Sequence, residues 1–199
     1  SILNGSRIGN DNKIHQCTVI GALPQDFNFV GEKSECIIGD NNIIRENVVI
    51  NRATHRGCST VIGSDNFLME GVHISHDTKV GNHCIFSYGT KIAGDCEVAD
   101  RAIYSSGVIQ KARTRVGTAA YITAGTTFAR DVPPYIVAGG SPVAYDSVNT
   151  SVCRELEISE KVIKHIANAY RLVFHGQTSV FDACIQIDEQ VPNSPEIRN

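Results

Sequence analysis

Three residues that could transfer protons lie within five positions of the chain: His73, His76 and Asp77. An aspartate beside a histidine can fix the tautomer of the imidazole and stabilise its protonated form. Such a pair is typical of a general base that removes a proton from a hydroxyl, a role that accelerates reactions roughly 10²–10⁴-fold. The alternative interpretation is a surface histidine that lies next to an acidic turn residue by chance.

The residues around this segment follow a period of six, which indicates the element that must position it. Eleven of the twelve residues in the series are apolar, with Gln110 as the exception: Ile62, Leu68, Ile74, Val80, Phe86, Ile92, Val98, Tyr104, Gln110, Val116, Ile122 and Phe128. This period fits neither a strand nor a helix. It is typical of a hexapeptide β-helix, in which three short strands close a coil of about eighteen residues.

Small and polar residues occupy the predicted corners of the coil, as in Gly63-Ser64-Asp65-Asn66, and they tolerate the left-handed backbone of tight corners. An ordinary antiparallel β protein is the alternative, but it does not require a register of six. The sequence therefore predicts an all-β protein, a left-handed parallel β-helix with a small C-terminal α-helical region. With Ile74 inward, His73, Ser75 and His76 should face outward, His76 at or beside a corner.

The pattern divides the chain into a β-helix at residues 1–145 and a helical region at residues 146–199. Interruptions at residues 22–37 and 51–60 break the period, and long interruptions of a solenoid are usually functional or bind a partner. The two prolines of residues 131–135 cannot join a β ladder, so the β-helix should end there or soon after. Repeat-like residues begin at once, and we expect further coils to precede them.

The last part of the chain shows the spacing of apolar residues that is typical of helices. Ser159 is predicted to cap a helix that ends at Gly176, and Ser179 is predicted to cap a second helix over residues 180–190. Two prolines in residues 191–199 predict a loose tail.

The composition restricts the classes of function. A formal net charge of −3 over 199 residues gives no strong field, so we expect no nucleic-acid partner. No apolar run approaches the roughly 20 residues that span a membrane. Seven cysteines without a CxxC motif indicate reduced, small and buried side chains rather than a disulfide framework, as in a cytoplasmic protein.

A zinc site is a second interpretation of the histidines, because His73, His76 and His83-Cys84 lie close together in the sequence. Zinc enzymes that are built on left-handed prisms, such as the gamma-class carbonic anhydrases, bind one ion with three histidines. Neighbouring positions on one coil seldom converge on one ion. We therefore predict neither a metal site nor a cofactor.

Several segments, in a fixed order, resemble one enzyme family, the UDP-N-acetylglucosamine O-acyltransferases that begin lipid A synthesis. These segments are residues 20–32, 44–54, 63–69, 73–77, 131–135 and 168–172. The similarity spans nearly the whole chain, minus the first coils of the family and the end of its helical domain. A hexapeptide repeat alone is shared by many transferases, whereas these segments together are specific.

The resemblance implies a homotrimer of left-handed prisms that transfers an acyl group, a 3-hydroxyacyl group in the family, from acyl carrier protein to a hydroxyl of a nucleotide sugar like UDP-N-acetylglucosamine. It implies that His76 is the base, that Asp77 orients it, and that the backbone N–H of Gly94 stabilises the oxyanion. The other residues with implied roles are Asp26 and His73, which would contact the nucleotide sugar, and Asn149, which would lie near the acyl chain or the carrier arm.

The chain resembles a divergent member, because several positions that contact the nucleotide in the family carry other residues. Asp95 stands where the family usually has His, and Lys111-Ala112 where it has His-Gln. The other replacements are Asn28 for Lys, Asn51 for His, and Ser151 with Arg154-Glu155-Leu156 for a Glu and a run of Arg. We expect Asp95 and Lys111 to contact the substrate, with Lys111 binding a phosphate as a point charge.

Thr123-Ala124 replaces paired glycines that make room for the acyl tail in the family, which leads to the hypothesis of a shorter or differently seated acyl group. Two alternatives remain open at this point. One is a transferase that uses a coenzyme A thioester and another sugar. The other is a catalytically degenerate trimeric scaffold that binds a ligand without turnover.

Overall fold

The computed structural model describes residues 1–198, and short strands in this part of the chain form three sheets. The first face contains β1 (Ser6–Ile8), β4 (Glu35–Ile38), β7 (Ser59–Ile62), β10 (Lys79–Val80), β13 (Glu97–Val98) and β16 (Arg115–Val116). The second contains β2 (Lys13–Ile14), β5 (Ile43–Ile44), β8 (Phe67–Leu68), β11 (Ile85–Phe86), β14 (Ile103–Tyr104), β17 (Tyr121–Ile122), β19 (Ile136–Gly139) and β20 (Ala144–Val148). The third contains β3 (Val19–Ala22), β6 (Val49–Asn51), β9 (His73–Ile74), β12 (Lys91–Ile92), β15 (Ile109–Gln110) and β18 (Thr127–Phe128).

Consecutive strands pass from the first face to the second and then to the third, so each coil has three corners. We call the turns that follow strands of the first, second and third faces the first, second and third edges. All strand pairs along the coil are parallel, and β20 alone pairs antiparallel, with β19, among the described residues. The predicted fold class, a left-handed parallel β-helix with a small C-terminal α-helical region, is confirmed.

The six-residue series fills the centre of the coil, as the sequence predicts. All twelve members of this series, which runs from Ile62 to Phe128, are buried, and Val80 has the largest exposed fraction, 4%. The polar exception has a partner, because the Tyr104 hydroxyl donates a hydrogen bond to Gln110 Oε1 over 2.7 Å. Burial raises the pKa of Tyr104 well above its ordinary value, so the hydroxyl stays a donor.

A second inward column, two positions before each residue of the series, was not predicted. Its members are small or polar and are also buried: Thr60, Asn66, Val72, Thr78, Cys84, Thr90, Cys96, Ala102, Val108, Thr114, Ala120 and Thr126. Several of the polar members hydrogen-bond to the backbone of neighbouring coils, as between Asn66 Nδ2 and Gly81 O (3.0 Å). This column therefore satisfies the polar backbone groups of the corners.

Both predicted interruptions leave the coil at the third edge. Ile38 pairs with Ile8 across 30 residues and with Ile62 across 24, whereas Ile62 pairs with Val80 across 18. The first insertion follows β3, and the second follows β6. The insertions therefore lengthen two coils by whole six-residue repeats and leave the inward positions in phase.

Four helices follow the coil within residues 1–198: α1 (Thr150–Glu155), α2 (Glu160–His175), α3 (Val180–Gln190) and α4 (Pro195–Arg198). The Ser159 and Ser179 side chains accept hydrogen bonds at the starts of α2 and α3, which confirms both predicted caps. The loose tail is a wrong prediction for the described residues, because α4 places Ile197 against the buried cluster of Ile163 and Ile166. Asn199 lies outside the described residues.

The division of the chain at residue 145 stays a prediction, since β20 runs across it and the helices begin at Thr150. None of the helices within residues 1–198 combines the length and the apolar character that crossing a membrane requires.

The cysteines are free, and the prediction that they are buried is only partly correct. Cys36, Cys84, Cys96 and Cys153 are buried, whereas Cys17, Cys58 and Cys184 are exposed. The exposed three lie outside the inward columns, at a corner, in the second insertion and on α3 respectively. Burial raises the pKa of the Cys36 and Cys84 thiols to about 12, which keeps them protonated.

Candidate functional site

The candidate site lies on the third edge, where both insertions and the turns of successive coils come together. β9 ends at Ile74 and is followed by the turn of His76 and Asp77. β12, which pairs with β9, is followed by the turn of Gly94 and Asp95. The parallel register therefore stacks residues that lie 18 positions apart in the chain.

The predicted pair of His76 and Asp77 is formed. His76 Nδ1 lies 2.9 Å from Asp77 Oδ2, and each side chain is 13% exposed. Asp77 adopts a left-handed backbone conformation (φ +58°), which aspartate tolerates better than most residues. With Nδ1 held by the carboxylate, Nε2 is the nitrogen that can exchange a proton.

Thr54 supports this pair from the second insertion. Its backbone N–H and its hydroxyl both donate to Asp77 Oδ2, over 3.0 and 2.7 Å. Burial raises the pKa of Asp77, but the hydrogen bonds from Thr54 and His76 together outweigh it, so the pKa lies below its ordinary value. The carboxylate is therefore ionised and able to orient the imidazole.

Sequence reasoning missed the role of Thr54, because an insertion changes the spacing between coils at this point. A hydroxyl residue within an insertion at the same edge was the available signal.

Gly94 lies directly against the His76 ring. A Cβ atom at Gly94 would lie 2.4 Å from His76 Cε1 and 2.6 Å from Nε2, so any other residue would displace the ring. The Asp95 N–H donates to the His76 carbonyl over 3.1 Å and links the two turns. The Gly94 N–H itself makes no hydrogen bond within residues 1–198, and it remains a donor for a ligand.

Asp26 reaches the same site from the first insertion. Its Oδ2 lies 3.9 Å from His76 Nε2, while its Oδ1 accepts a hydrogen bond from the Asn28 backbone N–H over 2.7 Å. The carboxylate therefore lies on the open side of the imidazole, opposite Asp77.

Asn51 fixes the start of this insertion. The side chain is fully buried, and its Nδ2 donates to the Leu23 carbonyl over 2.6 Å. Its Oδ1 has no hydrogen-bond partner in the described part of the chain. Asn51 thus connects β6 to the loop that carries Asp26.

His73 lies on β9, in register with Lys91 of β12. Burial, with the charges of Lys91 and His76, lowers the pKa of His73, so its imidazole is predominantly neutral near pH 7. The sequence predicts that Ser75 also faces outward; its side chain is 8% exposed, and its orientation stays a prediction. Its neighbours in the adjacent coils are Asn51 and Ala93, which shield so short a side chain.

Asp95 and Lys111 follow along the same edge. Asp95 lies 3.9 Å from the Arg113 guanidinium Nε, and both side chains are largely exposed. Lys111 is exposed directly after β15. The third edge therefore carries Asp26, His73, His76, Asp77, Gly94, Asp95 and Lys111, and contacts join Asp26, Asp77, Gly94 and Asp95 to His76.

Asn149 lies apart from this group within the chain. Its side chain caps α1 through the Val152 N–H (3.5 Å), and its Nδ2 donates to the Ala119 carbonyl on the first edge (2.9 Å). One chain therefore does not place Asn149 beside His76.

His83 also lies on the first edge, 3.9 Å from Asp65, and so does not join His73 and His76. No group of three His, Cys, Asp or Glu side chains suited to a metal ion occurs among residues 1–198.

Two family models match the chain. Domain 2 of the UDP-N-acetylglucosamine O-acyltransferases matches residues 131–199, and the bacterial transferase hexapeptide model matches residues 59–94.

Solved structures of similar proteins extend the match over the whole chain. A UDP-N-acetylglucosamine acyltransferase from Bacteroides fragilis is 47% identical, with a TM-score of 0.96 over 99% of this chain and 77% of that one. The Moraxella catarrhalis O-acyltransferase is 31% identical, with a TM-score of 0.91 over 98% and 76%. The Francisella novicida acyltransferase is 28% identical, with a TM-score of 0.92 over 99% and 79%. The chain therefore belongs to the UDP-N-acetylglucosamine O-acyltransferase family and is an acyltransferase.

Proposed function

We propose that this enzyme transfers a 3-hydroxyacyl group from acyl carrier protein to a hydroxyl of a nucleotide sugar like UDP-N-acetylglucosamine, with His76 as the general base. The observation that carries this proposal is the contact of His76 Nδ1 with the ionised Asp77 at 2.9 Å. It leaves Nε2 directed to the side on which Asp26 and Gly94 lie.

In the proposed reaction, His76 Nε2 removes the hydroxyl proton as the sugar oxygen attacks the thioester carbonyl carbon. The Gly94 N–H, which has no partner within residues 1–198, donates to the oxyanion of the tetrahedral intermediate. The C–S bond then breaks, and the thiol leaves with the proton from the imidazolium. The products are the ester and the free thiol of the carrier, and His76 returns to its neutral form.

The acceptor would lie along the third edge. Asp26 would accept a hydrogen bond from the sugar, because its Oδ2 lies on the Nε2 side of His76. His73, held neutral by its surroundings, can offer one donor and one acceptor to the sugar. Lys111 is exposed farther along the edge and would bind a phosphate, while Asp95 would contact a polar group of the same substrate.

Asn149 enters this proposal only through a second copy of the chain. Its position at the first edge separates it from His76 within one chain. In a homotrimer, the first edge of one copy can face the third edge of the next. Asn149 would then reach the acyl chain or the carrier arm across the interface.

The test is release of the carrier thiol with 3-hydroxyacyl carrier protein and UDP-N-acetylglucosamine. His76→Ala should lower kcat on the order of 10³-fold, whereas His83→Ala, the matched control on the first edge, should keep wild-type activity. Activity that survives in His76→Ala would contradict the role of the base. A wild type that uses only coenzyme A thioesters would instead support the alternative donor.

A series of acyl lengths tests the hypothesis of a shorter or differently seated acyl group. Thr123 follows β17 at the second edge, and its Oγ1 lies 3.1 Å from Thr126 Oγ1. If the acyl tail passes these two side chains, they would narrow the groove that holds it. Equal rates with long and short donors would contradict the hypothesis.

A further inference from the structure

Several polar members of the second inward column make the same kind of hydrogen bond, which recurs around the prism. A hydroxyl or thiol donates to the carbonyl of the residue fifteen positions later, on the next coil. The pairs are Thr78 Oγ1 with Ala93 O (3.0 Å), Cys84 Sγ with Ala99 O (3.2 Å), Thr90 Oγ1 with Ser105 O (3.4 Å) and Cys96 Sγ with Lys111 O (3.2 Å). The bond is therefore a structural device of the coil that occurs at all three edges.

One of these bonds ends on a peptide unit of the site. The Ala93 carbonyl that accepts from Thr78 belongs to the same planar peptide as the Gly94 N–H. Because the unit is rigid, a bond that fixes the carbonyl also fixes the direction of the N–H on its opposite side. The Ala93 N–H, in turn, donates to the Gln110 carbonyl over 3.0 Å.

The orientation of the Thr78 hydroxyl is defined by its surroundings. Thr78 is fully buried, and its Oγ1 accepts a long hydrogen bond from the Cys96 N–H (3.4 Å), so its own proton points to the Ala93 carbonyl. A hydrogen bond to a carbonyl polarises the amide and strengthens its N–H as a donor. Buried in a medium of low dielectric constant, this effect is larger than in water.

We propose that Thr78 is a positioning residue that aims and polarises the Gly94 N–H for the oxyanion, an inference that rests on the proposed function. Thr78 touches no substrate, because it faces the inside of the coil. The neighbouring member of the column supports the other half of the site, since Thr60 Oγ1 accepts from the Asp77 N–H over 2.9 Å. The column thus connects the packing of the core to the geometry of the site.

The test uses three variants of the full chain, which are assayed for carrier thiol release and thermal unfolding. Thr78→Val removes the donor and keeps the shape, and Thr78→Ser keeps the donor. Thr90→Val removes the same kind of bond at the second edge. We expect kcat of Thr78→Val to fall about tenfold at unchanged KM for the nucleotide sugar, less than the 10²–10³ that follows loss of an oxyanion donor.

The control variants decide between positioning and a merely structural role. Thr78→Ser should keep most of the wild-type kcat, and Thr90→Val should lower the melting temperature without lowering kcat. If Thr78→Val does not fold, Thr78→Cys replaces it. Cysteine occupies the equivalent position at Cys96, and its weaker donor should give a kcat between those of wild type and an enzyme without the bond.

Wild-type kcat in Thr78→Val, or in Thr78→Cys if that variant is used, would overturn the inference. An equal loss of kcat in Thr90→Val, or no rescue in Thr78→Ser, would also overturn it. A wild type without His76-dependent transfer would instead overturn the proposed function, so the two failures are distinguishable.

Discussion

The first and third edges have the same backbone design but differ in the side chains of their turn residues. At the first edge, the backbone N–H of the second turn residue donates to a side chain of the following coil. The pairs are Asn10 with Asp40 (2.6 Å), Asp40 with Ser64 (3.0 Å), Ser64 with Asn82 (2.8 Å) and Asn82 with Asp100 (2.7 Å). At the third edge, the equivalent positions are His76 and Gly94, and the Gly94 N–H has no partner within residues 1–198.

Within residues 1–198, the third edge thus leaves unmade, at Gly94, a bond that the first edge repeats. A side chain at the first edge satisfies the corner N–H and adds stability. At the third edge, the residue in register with Gly94 on the following coil is Ala112, which supplies no acceptor side chain, and the imidazole lies in the space beside Gly94. The Gly94 N–H is then available to a ligand.

Among the variants that test this comparison, Asp77→Asn should show the largest loss of kcat. An amide cannot stabilise the imidazolium and can hold the imidazole in the wrong tautomer, so kcat should fall on the order of 10³-fold. Asp65→Asn is the matched control, because Asp65 has the equivalent left-handed conformation (φ +59°) at the first edge. Its kcat should equal that of wild type, and an equal loss in both variants would remove the distinction between the edges.

The acid dependence of unfolding provides an independent measurement for the same variant. The pKa of Asp77 is lower in the folded state than its ordinary value, so its contribution to stability is complete above that value. It is lost as the pH falls through the folded pKa. The difference in stability between wild type and Asp77→Asn should therefore shrink as the pH falls through the folded pKa of Asp77.

Gly94→Ala should have the next largest effect. The added methyl group would lie 2.4 Å from His76 Cε1, so the ring must move, and kcat should fall about 10²-fold. Gly107→Ala is the control at the second edge, where the added Cβ meets open space but the backbone has a φ of +69°. That variant should lose about 1–2 kcal/mol of stability at unchanged kcat. Similar kinetics for the two would contradict the packing of the ring on Gly94.

Asn82→Ala should have the smallest effect, a loss of stability without a change in kcat. It removes the side chain that accepts from the Ser64 N–H, so the free energy of unfolding should fall by about 1 kcal/mol. Denaturant unfolding measures this loss, and the thiol-release assay should give wild-type kcat. A loss of activity without a loss of stability would mean that the first edge also takes part in the reaction.

The fold and the helix caps could be predicted because their signals are local or strictly periodic. The inward series depends on one side chain per six residues, and Ser159 and Ser179 stand directly before the helices they cap. His76 and Asp77 are neighbours in the chain, so their contact was also accessible to sequence reasoning.

The remaining parts of the site depend on contacts between coils, which sequence spacing does not fix once insertions occur. Thr54 contacts Asp77 across 23 residues because an insertion lengthens that coil. Thr78 reaches Ala93 through the second inward column, which mixes threonine, cysteine, valine, alanine and asparagine and so carries a weak hydrophobic signal. Asn149 could not be assigned to one edge, because a helical cap has no fixed relation to the six-residue period.

The two insertions leave and rejoin the coil in phase, since Ile50 still pairs with both Ile20 and Ile74. The two inserted segments can therefore be exchanged between relatives without redesign of the hydrophobic interior. A chimera that carries a foreign segment between β3 and β4 should fold with its own coil intact and acquire a new preference for the sugar.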